Sequence, residues 1–347
     1  MDNICRLNYI GSKFKLLDWI TSIMKDKMNI TSFEGVTVAD LFSGTGIVSY
    51  HFRTLNAITI SNDAELYSYI ISSAFTNGLY TNTIIDFIDK INKELLEGKY
   101  KNTFGFITKN YSPYEDCERM FFTVDNAQRI DYIKERIYND NDISTENYVF
   151  LLASLLLSAD NVSNVPAVYG CFLKNFKSKA TKELKLKPIH INENKPKNGC
   201  KVYNSDILKI LDKVKADIVY LDPPYNERQY SKNYFPLNMI ALNEDDLKEE
   251  TLKGKTGIPE SCFMSSFCRK KEVENSFEKV LEGLKNNVKW IFISYNSESL
   301  IDKDTMIKIM SKYGEVSVEE RDYKRFKSFE YNEDKSIEEY LFCLKLN

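Results

Sequence analysis

Residues 217–225, Asp-Ile-Val-Tyr-Leu-Asp-Pro-Pro-Tyr, leave this chain little freedom in local structure. Ile218, Val219, Tyr220 and Leu221 form an apolar run rich in β-branched and aromatic residues, the pattern of a buried strand. The strand must stop at Asp222. Pro223 and Pro224 have no backbone N–H to give a neighbouring strand, and each holds φ near about −65°. A stiff turn follows, carrying one carboxylate, bare carbonyls and the ring of Tyr225. In open α/β sheets, ligands bind at the carboxyl ends of the strands.

These groups suit methylation of an exocyclic amine on a base. The amine lone pair is delocalised into the ring, so the nitrogen is a poor nucleophile until acceptors engage its N–H groups. The Asp222 carboxylate and the Pro223 carbonyl supply two acceptors, with no donor expected to compete. Tyr225 then offers a surface on which a base swung out of the duplex can stack. The plain structural alternative is a strand ending in an ordinary Pro-Pro turn.

A second motif lies upstream. Residues 36–49 read Val-Thr-Val-Ala-Asp-Leu-Phe-Ser-Gly-Thr-Gly-Ile-Val-Ser, an alternating strand running into a glycine turn and then a helix start. Gly44 and Gly46 let the backbone turn tightly and approach a ligand lying across the strand end. Ser49 stands where a dinucleotide fingerprint has its third glycine, and the acidic-aromatic lead-in of Asp40 and Phe42 fits an S-adenosylmethionine site better than a pyrophosphate site. A second strand, 57–60, leads to Asp63, an acid placed to accept from ribose hydroxyls or to cap the helix that begins near Leu66. Before these, Tyr9-Ile10-Gly11-Ser12-Lys13 opens a helical pattern with Ser12 as its expected cap; such a turn can offer N–H groups and one positive charge to an anion, or be a plain cap.

Between 83 and 160 the strand–helix alternation lapses into helical patterns at 83–97, 115–138 and 144–158. Residues 171–201 then carry nine lysines against two glutamates, interleaved with Phe172 and Phe176. Such a stripe suits phosphate contacts, with Lys174, Lys177 and Lys179 as candidates, or is a solvated loop. A strand at 201–204 precedes a helix expected to open at Ser205-Asp206, where Asp206 is a cap or an acceptor for a cofactor's adenine amine. Beyond Tyr225 the run through Arg228, Tyr230, Lys232, Asn233 and Tyr234 is a candidate wall for a base pocket. A long loop is expected over 243–271, with Arg269 and Lys270 in its basic cluster. A helix (273–285), a strand (290–295), a helix (299–312) and two strands (about 315–320 and 339–345) complete the chain, with Arg325 and Lys327 in a basic-aromatic patch between the last two.

In this order the motifs resemble the alpha-group (Dam-like) DNA adenine-N6 methyltransferases, and the resemblance spans nearly the whole chain. Asp222-Pro223-Pro224-Tyr225 matches that family's catalytic motif, and the longer Asp-Pro-Pro-Tyr-Asn-x-Arg-Gln-Tyr run is similar to a restriction-modification subgroup. The resemblance places Tyr9, Ile10, Gly11 and Lys13 in the N-terminal cofactor segment. Asp40, Phe42, Ser43, Gly44, Thr45 and Gly46 fall in the glycine motif, with Asp63 on the ribose, Asp206 near the adenine and Asp222 beside the cofactor. It implies an α/β fold: a Rossmann-like methyltransferase sheet with helices on both faces, formed by 1–82 and 199–347. A mainly helical target-recognition insert would occupy 83–198. It further implies S-adenosylmethionine as cofactor and double-stranded DNA as partner, with room for a cognate restriction endonuclease. Cytosine-amino or RNA adenine methylation is the near alternative; an NAD-binding Rossmann protein is the remote one.

Composition narrows the field. No apolar run approaches 18 residues, so no membrane span is expected. Seven scattered cysteines without a C-x-x-C suit a reducing cytoplasm, as in a prokaryotic or phage-type protein. The two histidines, His51 and His190, lie at no metal-ligand spacing, so neither a metal nor a Ser-His-Asp triad is expected. A net charge of −3 leaves DNA binding to a local basic stripe.

Overall fold

The computed structural model describes residues 7, 9–140, 143–191, 198–324 and 336–347. In chain order, α1 (Leu17–Met28), β1 (Thr37–Asp40), α2 (Ile47–Thr54), β2 (Ile58–Asp63) and α3 (Leu66–Asn77) come first. Next are α4 (Asn82–Leu96), α5 (Phe106–Tyr111), α6 (Val124–Tyr138) and α7 (Thr145–Asp160). Then follow β3 (Lys201–Asn204), β4 (Ala216–Leu221), α8 (Tyr230–Ala241), α9 (Glu244–Lys248) and the short strands β5 (Leu252–Lys253) and β6 (Ile258–Pro259). The chain closes with α10 (Val273–Leu284), β7 (Val288–Asn296), α11 (Lys303–Met310), β8 (Gly314–Lys324) and β9 (Ser336–Leu346). These elements fall into two compact units. One holds Gly11–Ser72, Lys197–Tyr230 and Phe263–Asn347; the other holds Met1–Ile10, Ser73–Pro196 and Ser231–Cys262.

The first unit is built on a seven-stranded sheet of order β3-β2-β1-β4-β7-β9-β8. From β3 to β7 neighbours run parallel, and β9 enters antiparallel between β7 and β8. The chain steps outward from β1 to β2 to β3, then returns to place β4 on the other side of β1. That reversal opens a crevice at the carboxyl ends of β1 and β4, the position at which doubly wound sheets bind ligands. Asp40 ends β1 and Asp222 follows β4, with Asp40 paired in register to Tyr220.

Period-2 alternation sends Val219, Leu221, Ile291 and Ile293 to one face, where they meet the stripe Val273, Phe277, Val280, Leu281 and Leu284 of α10. Each such buried side chain contributes about 1.5–3 kcal/mol. The opposite face buries Val38, Ile218, Tyr220 and Phe292 beneath α1 and α2, which are joined by a 2.8 Å hydrogen bond between Thr21 and His51. Helices therefore cover both faces. In the second unit, α7 is buried continuously from Phe150 to Asp160, the mark of a helix at the centre of a bundle.

Several local expectations change. Ser12 makes no side-chain cap, and Lys13–Leu16 forms a 3-10 turn before α1. The helix expected after Asp206 is a pair of 3-10 turns, Ile207–Lys209 and Leu211–Lys213, too short for the α pattern its apolar spacing suggested. Helix α6 begins at Val124 rather than near 115, because the Thr123 hydroxyl caps it by accepting from Asn126 N–H. Residues 243–271 are not a bare loop: they hold α9, the β5–β6 hairpin and a 3-10 turn at Ser266–Cys268. No helix among the described residues is long and apolar enough to cross a membrane.

Candidate active site

The site grows from the end of β4. Pro223 is buried, and Asp222 keeps 19% of its side chain exposed. Its Oδ1 accepts the Tyr225 hydroxyl at 2.7 Å and faces the Lys13 ammonium at 3.1 Å. Its Oδ2 has no hydrogen-bond partner among the described residues. The expectation of a carboxylate free of competing donors is thus half corrected: one oxygen is sealed by two donors, the other remains to accept. Burial pushes the Asp222 carboxyl up from the usual carboxylate range, and the charge of Lys13 pulls it back.

Lys13 is 2% exposed. Its ammonium also donates to the Gly11 carbonyl at 3.1 Å and lies 4.7 Å from the centroid of the Tyr225 ring. Gly11 sits at φ +80°, in the left-handed region. The Tyr225 ring meets Tyr295 edge-on at 5.2 Å, and its carbonyl accepts Leu300 N–H at 3.1 Å, so the ring is clamped rather than loose.

The glycine turn closes the other side of the crevice. Gly44 (φ +49°) and Gly46 (φ +71°) adopt left-handed backbone, where a Cβ is strained. Asp63 braces the turn, taking Gly44 N–H on Oδ2 at 2.7 Å and Glu65 N–H on Oδ1 at 2.9 Å. Burial raises its pKa, and these bonds oppose the rise. Asp40, 1% exposed, accepts the Ser49 amide at 3.2 Å and hydroxyl at 2.9 Å on Oδ2, tying β1 to the first turn of α2. Its Oδ1 is buried with no hydrogen-bond partner among the described residues, and burial pushes its carboxyl to about 7, with the nearby charges of Asp222 and Asp63 adding to the rise. Phe42 packs edge-on against Phe267 at 5.1 Å, while the Ser43 hydroxyl lies 3.0 Å from that of Ser72. Thr45 is buried. Asp206 accepts Leu208 N–H at 3.1 Å, just beyond β3.

The structure therefore gathers Gly11, Lys13, Asp40, Phe42, Ser43, Gly44, Thr45, Gly46, Asp63, Asp206, Asp222, Pro223, Pro224 and Tyr225 in the sheet unit. Tyr9 and Ile10 belong to the helical unit, where Tyr234 stacks on Tyr9 at 4.7 Å and its hydroxyl accepts Ile10 N–H at 2.9 Å. Tyr234, expected in the wall of a base pocket, is fully buried in that packing and presents no surface to a nucleic acid. Lys232 is exposed and Asn233 half-buried; Arg228, Arg269 and Lys270 are exposed, and Tyr230 is half-buried. Arg269 is engaged by both oxygens of Glu272, at 2.9 and 3.2 Å. Lys174 is exposed and Lys179 half-buried, whereas the Lys177 ammonium is turned inward onto the Val165 carbonyl. Arg325 and Lys327 lie outside the described residues. No group of three or more metal-ligating side chains occurs among the described residues.

Two residues take places in the site that the sequence reading did not single out. Glu339, 6% exposed on β9, pairs in register with Asn296 at the end of β7. Its Oε2 has no hydrogen-bond partner among the described residues; burial raises its pKa, opposed by Lys13 and aided by Asp222. Gln229 clamps the chain beyond Tyr225, its amide exchanging hydrogen bonds with Ser265 at 2.8 and 3.1 Å. Only a long-range pairing reveals either one.

Comparison with known proteins adds the following. Residues 9–309 match the family described as D12 class N6 adenine-specific DNA methyltransferase. The chain is 41% identical to Type II methyltransferase M.CviAII of Paramecium bursaria Chlorella virus 1, over 97% of this chain and 98% of that protein. It is 35% identical to Type II methyltransferase M.NlaIII of Neisseria lactamica, over 93% of each. It is 37% identical to Type II methyltransferase M.FokI of Planomicrobium okeanokoites, over 98% of this chain and 52% of that one, so it spans about half of M.FokI.

Proposed function

We propose, since this chain belongs to the D12 class N6 adenine-specific DNA methyltransferase family, that the crevice between β1 and β4 is where a target adenine meets its methyl donor. Family membership displaces the cytosine, RNA and NAD-binding alternatives. The substrate form is double-stranded DNA, with the adenine rotated out of the stack, and the setting is restriction-modification, as for the Type II relatives.

S-adenosylmethionine is the donor these residues fit, and when bound it supplies an electrophilic methyl group on a sulfonium. Asp40, Asp63, Asp222 and Glu339 lie at the strand edge with Lys13 among them, an acidic setting that complements the donor's sulfonium and ammonium. Gly44 and Gly46 keep the turn free of side chains, and the buried unpartnered Oδ1 atoms of Asp40 and Asn62 offer further acceptors. The residues that would hold it are those of the turn (Asp40, Phe42, Ser43, Gly44, Thr45, Gly46), with Asp63 toward the ribose and Asp206 toward the adenine. Gly11 and Lys13 extend the same site within the sheet unit, and Tyr9 and Ile10 precede them in the chain.

The chain's own part is positional. Asp222 Oδ2 accepts one N–H of the adenine amine and the Pro223 carbonyl accepts the other, turning the nitrogen lone pair toward the methyl group. Tyr225 flanks the extruded ring, and Pro224 keeps the corner stiff. Asp222 then takes the proton that the methylated nitrogen sheds. Such preorganised acceptors cost no reorganisation when the methyl group transfers. DNA-facing candidates are Lys174, Lys179, Arg228, Tyr230, Lys232, Asn233 and Lys270, with Lys177 and Arg269 able to join only by leaving their present partners.

The observation that carries the reading is the divided Asp222 carboxylate, one oxygen sealed by Lys13 and Tyr225 and the other left to accept. Asp222→Ala should abolish methyl transfer to adenine while leaving donor binding, followed by calorimetry, largely intact. An Asp222→Ala protein that still methylates adenine in duplex DNA refutes the assignment.

A further inference from the structure

Residues 183–191 form neither helix nor sheet strand, and follow a turn in which Ala180 and Lys182 N–H donate to the carbonyls of Lys177 and Lys179. The described backbone hydrogen bonds of 183–191 run to side chains, most of them from helices. Asn126 of α6 accepts Leu184 N–H at 2.8 Å and donates to the carbonyls of Ala180 and Lys182 at 3.0 and 2.9 Å. Asn92 of α4 exchanges two bonds with Leu186, each 2.9 Å. From α7, Ser158 and Ser154 accept Lys187 and Ile189 N–H at 3.0 and 2.9 Å. Tyr80 donates to the Ile189 carbonyl at 2.8 Å.

This scaffold fixes which side chains turn inward. Leu184, Leu186, Ile189 and Ile191 are buried, while Lys182, Lys185 and Lys187 are exposed. Lys185 and Lys187 flank the buried Leu186, both exposed. Holding a segment in one conformation costs conformational entropy residue by residue, and a loose basic loop would attract anions without that cost. The gain lies in fixed charge positions. Nor are these charges used internally. Elsewhere in the same unit Lys99, Lys248 and Lys253 pair with Glu97, Asp245 and Glu260. Lys182, Lys185 and Lys187 form no ion pair among the described residues, and Glu183 between them is drawn to Arg129 at 3.6 Å.

We propose that Lys182, Lys185 and Lys187 form a preset ridge that grips the phosphate backbone of duplex DNA without reading its sequence. The proposal rests on the DNA-methylating function above and names a contact surface for it. Lys177 is not part of the ridge, because its ammonium is capped by the Val165 carbonyl.

The test is equilibrium binding of a combined Lys182→Ala, Lys185→Ala, Lys187→Ala protein across a salt series. Two duplexes are compared, one that the wild-type protein methylates and one that it does not. The slope of log affinity against log salt should become shallower by about 2.7, at about 0.9 per lysine, with equal loss on both duplexes. A combined Lys99→Ala, Lys248→Ala, Lys253→Ala protein removes the same charge from the same unit and should keep the wild-type slope. An unchanged slope in the ridge variant, a loss confined to the methylated duplex, or an equal change in the control overturns the proposal. Wild-type protein that fails to methylate adenine refutes the functional reading instead; wild-type that methylates while the ridge variant keeps its slope refutes only the ridge.

Discussion

Replacing Lys13 with glutamine removes one charge from a buried place while keeping a polar side chain there. The ammonium stands 3.1 Å from Asp222 Oδ1. At that separation the attraction is about 5 kcal/mol for an effective dielectric near 20 and about 1 kcal/mol in bulk water. With Lys13 2% and Asp222 19% exposed, the value lies between these limits. Burial already pushes the Asp222 carboxyl up and Lys13 opposes it. In Lys13→Gln that opposition is gone, so Asp222 holds its proton to higher pH and loses its value as an acceptor for the amine. The acid limb of the kcat profile should therefore move to higher pH. At a fixed pH on that limb the loss should be at least about tenfold, the equivalent of about 1.4 kcal/mol. Lys13→Arg keeps the charge and should move the limb back toward wild type. The assay is methyl transfer at saturating donor and DNA over a pH series, with donor affinity measured separately, since Lys13 also belongs to the proposed donor segment. Coincident limbs for wild type and Lys13→Gln, or one shared limb for Lys13→Gln and Lys13→Arg, would refute the reasoning.

Two further predictions concern the glycine turn and its anchor. Gly46→Ala places a Cβ at φ +71° and should cost about 1–2 kcal/mol in urea unfolding, together with weaker donor binding. Asp40 has a folded pKa of about 7 against an ordinary 3.8, so the folded chain binds its proton more tightly than the unfolded one. Its contribution is fully present below about pH 4 and lost as pH rises through about 7, up to roughly 4 kcal/mol. Asp40→Asn should flatten that dependence and raise stability at pH 8; an unaltered pH–stability curve would count against a buried charge there.

Much of the site could be read from the chain because it is local. Asp222 and Tyr225 lie three residues apart, and Gly44 and Gly46 two apart; prolines and left-handed glycines dictate backbone geometry wherever they occur. The same holds for the long periodic elements, such as the α10 stripe from Val273 to Leu284. Expectations slipped where short-range pattern competes with long-range contact. The apolar spacing after Asp206 suggested a full helix, but the chain there makes two 3-10 turns before β4 begins. Pro236 did not break α8, whose first residues had been read only as a polar pocket wall.

What the amino-acid order determined alone was the chemistry at each turn: a carboxylate held before two prolines, a glycine loop able to approach a ligand, and lysines massed in one stretch. Folding decided which of those groups remain available. Lys13 and Asp222 are separated by more than two hundred residues, yet their pairing leaves only one carboxylate oxygen open. Lys177 and Lys185 look alike in the sequence, but one ammonium is bonded to a carbonyl of its own unit and the other side chain stands exposed. Side-chain type is a local property, whereas burial and partnership depend on which distant segments arrive beside it.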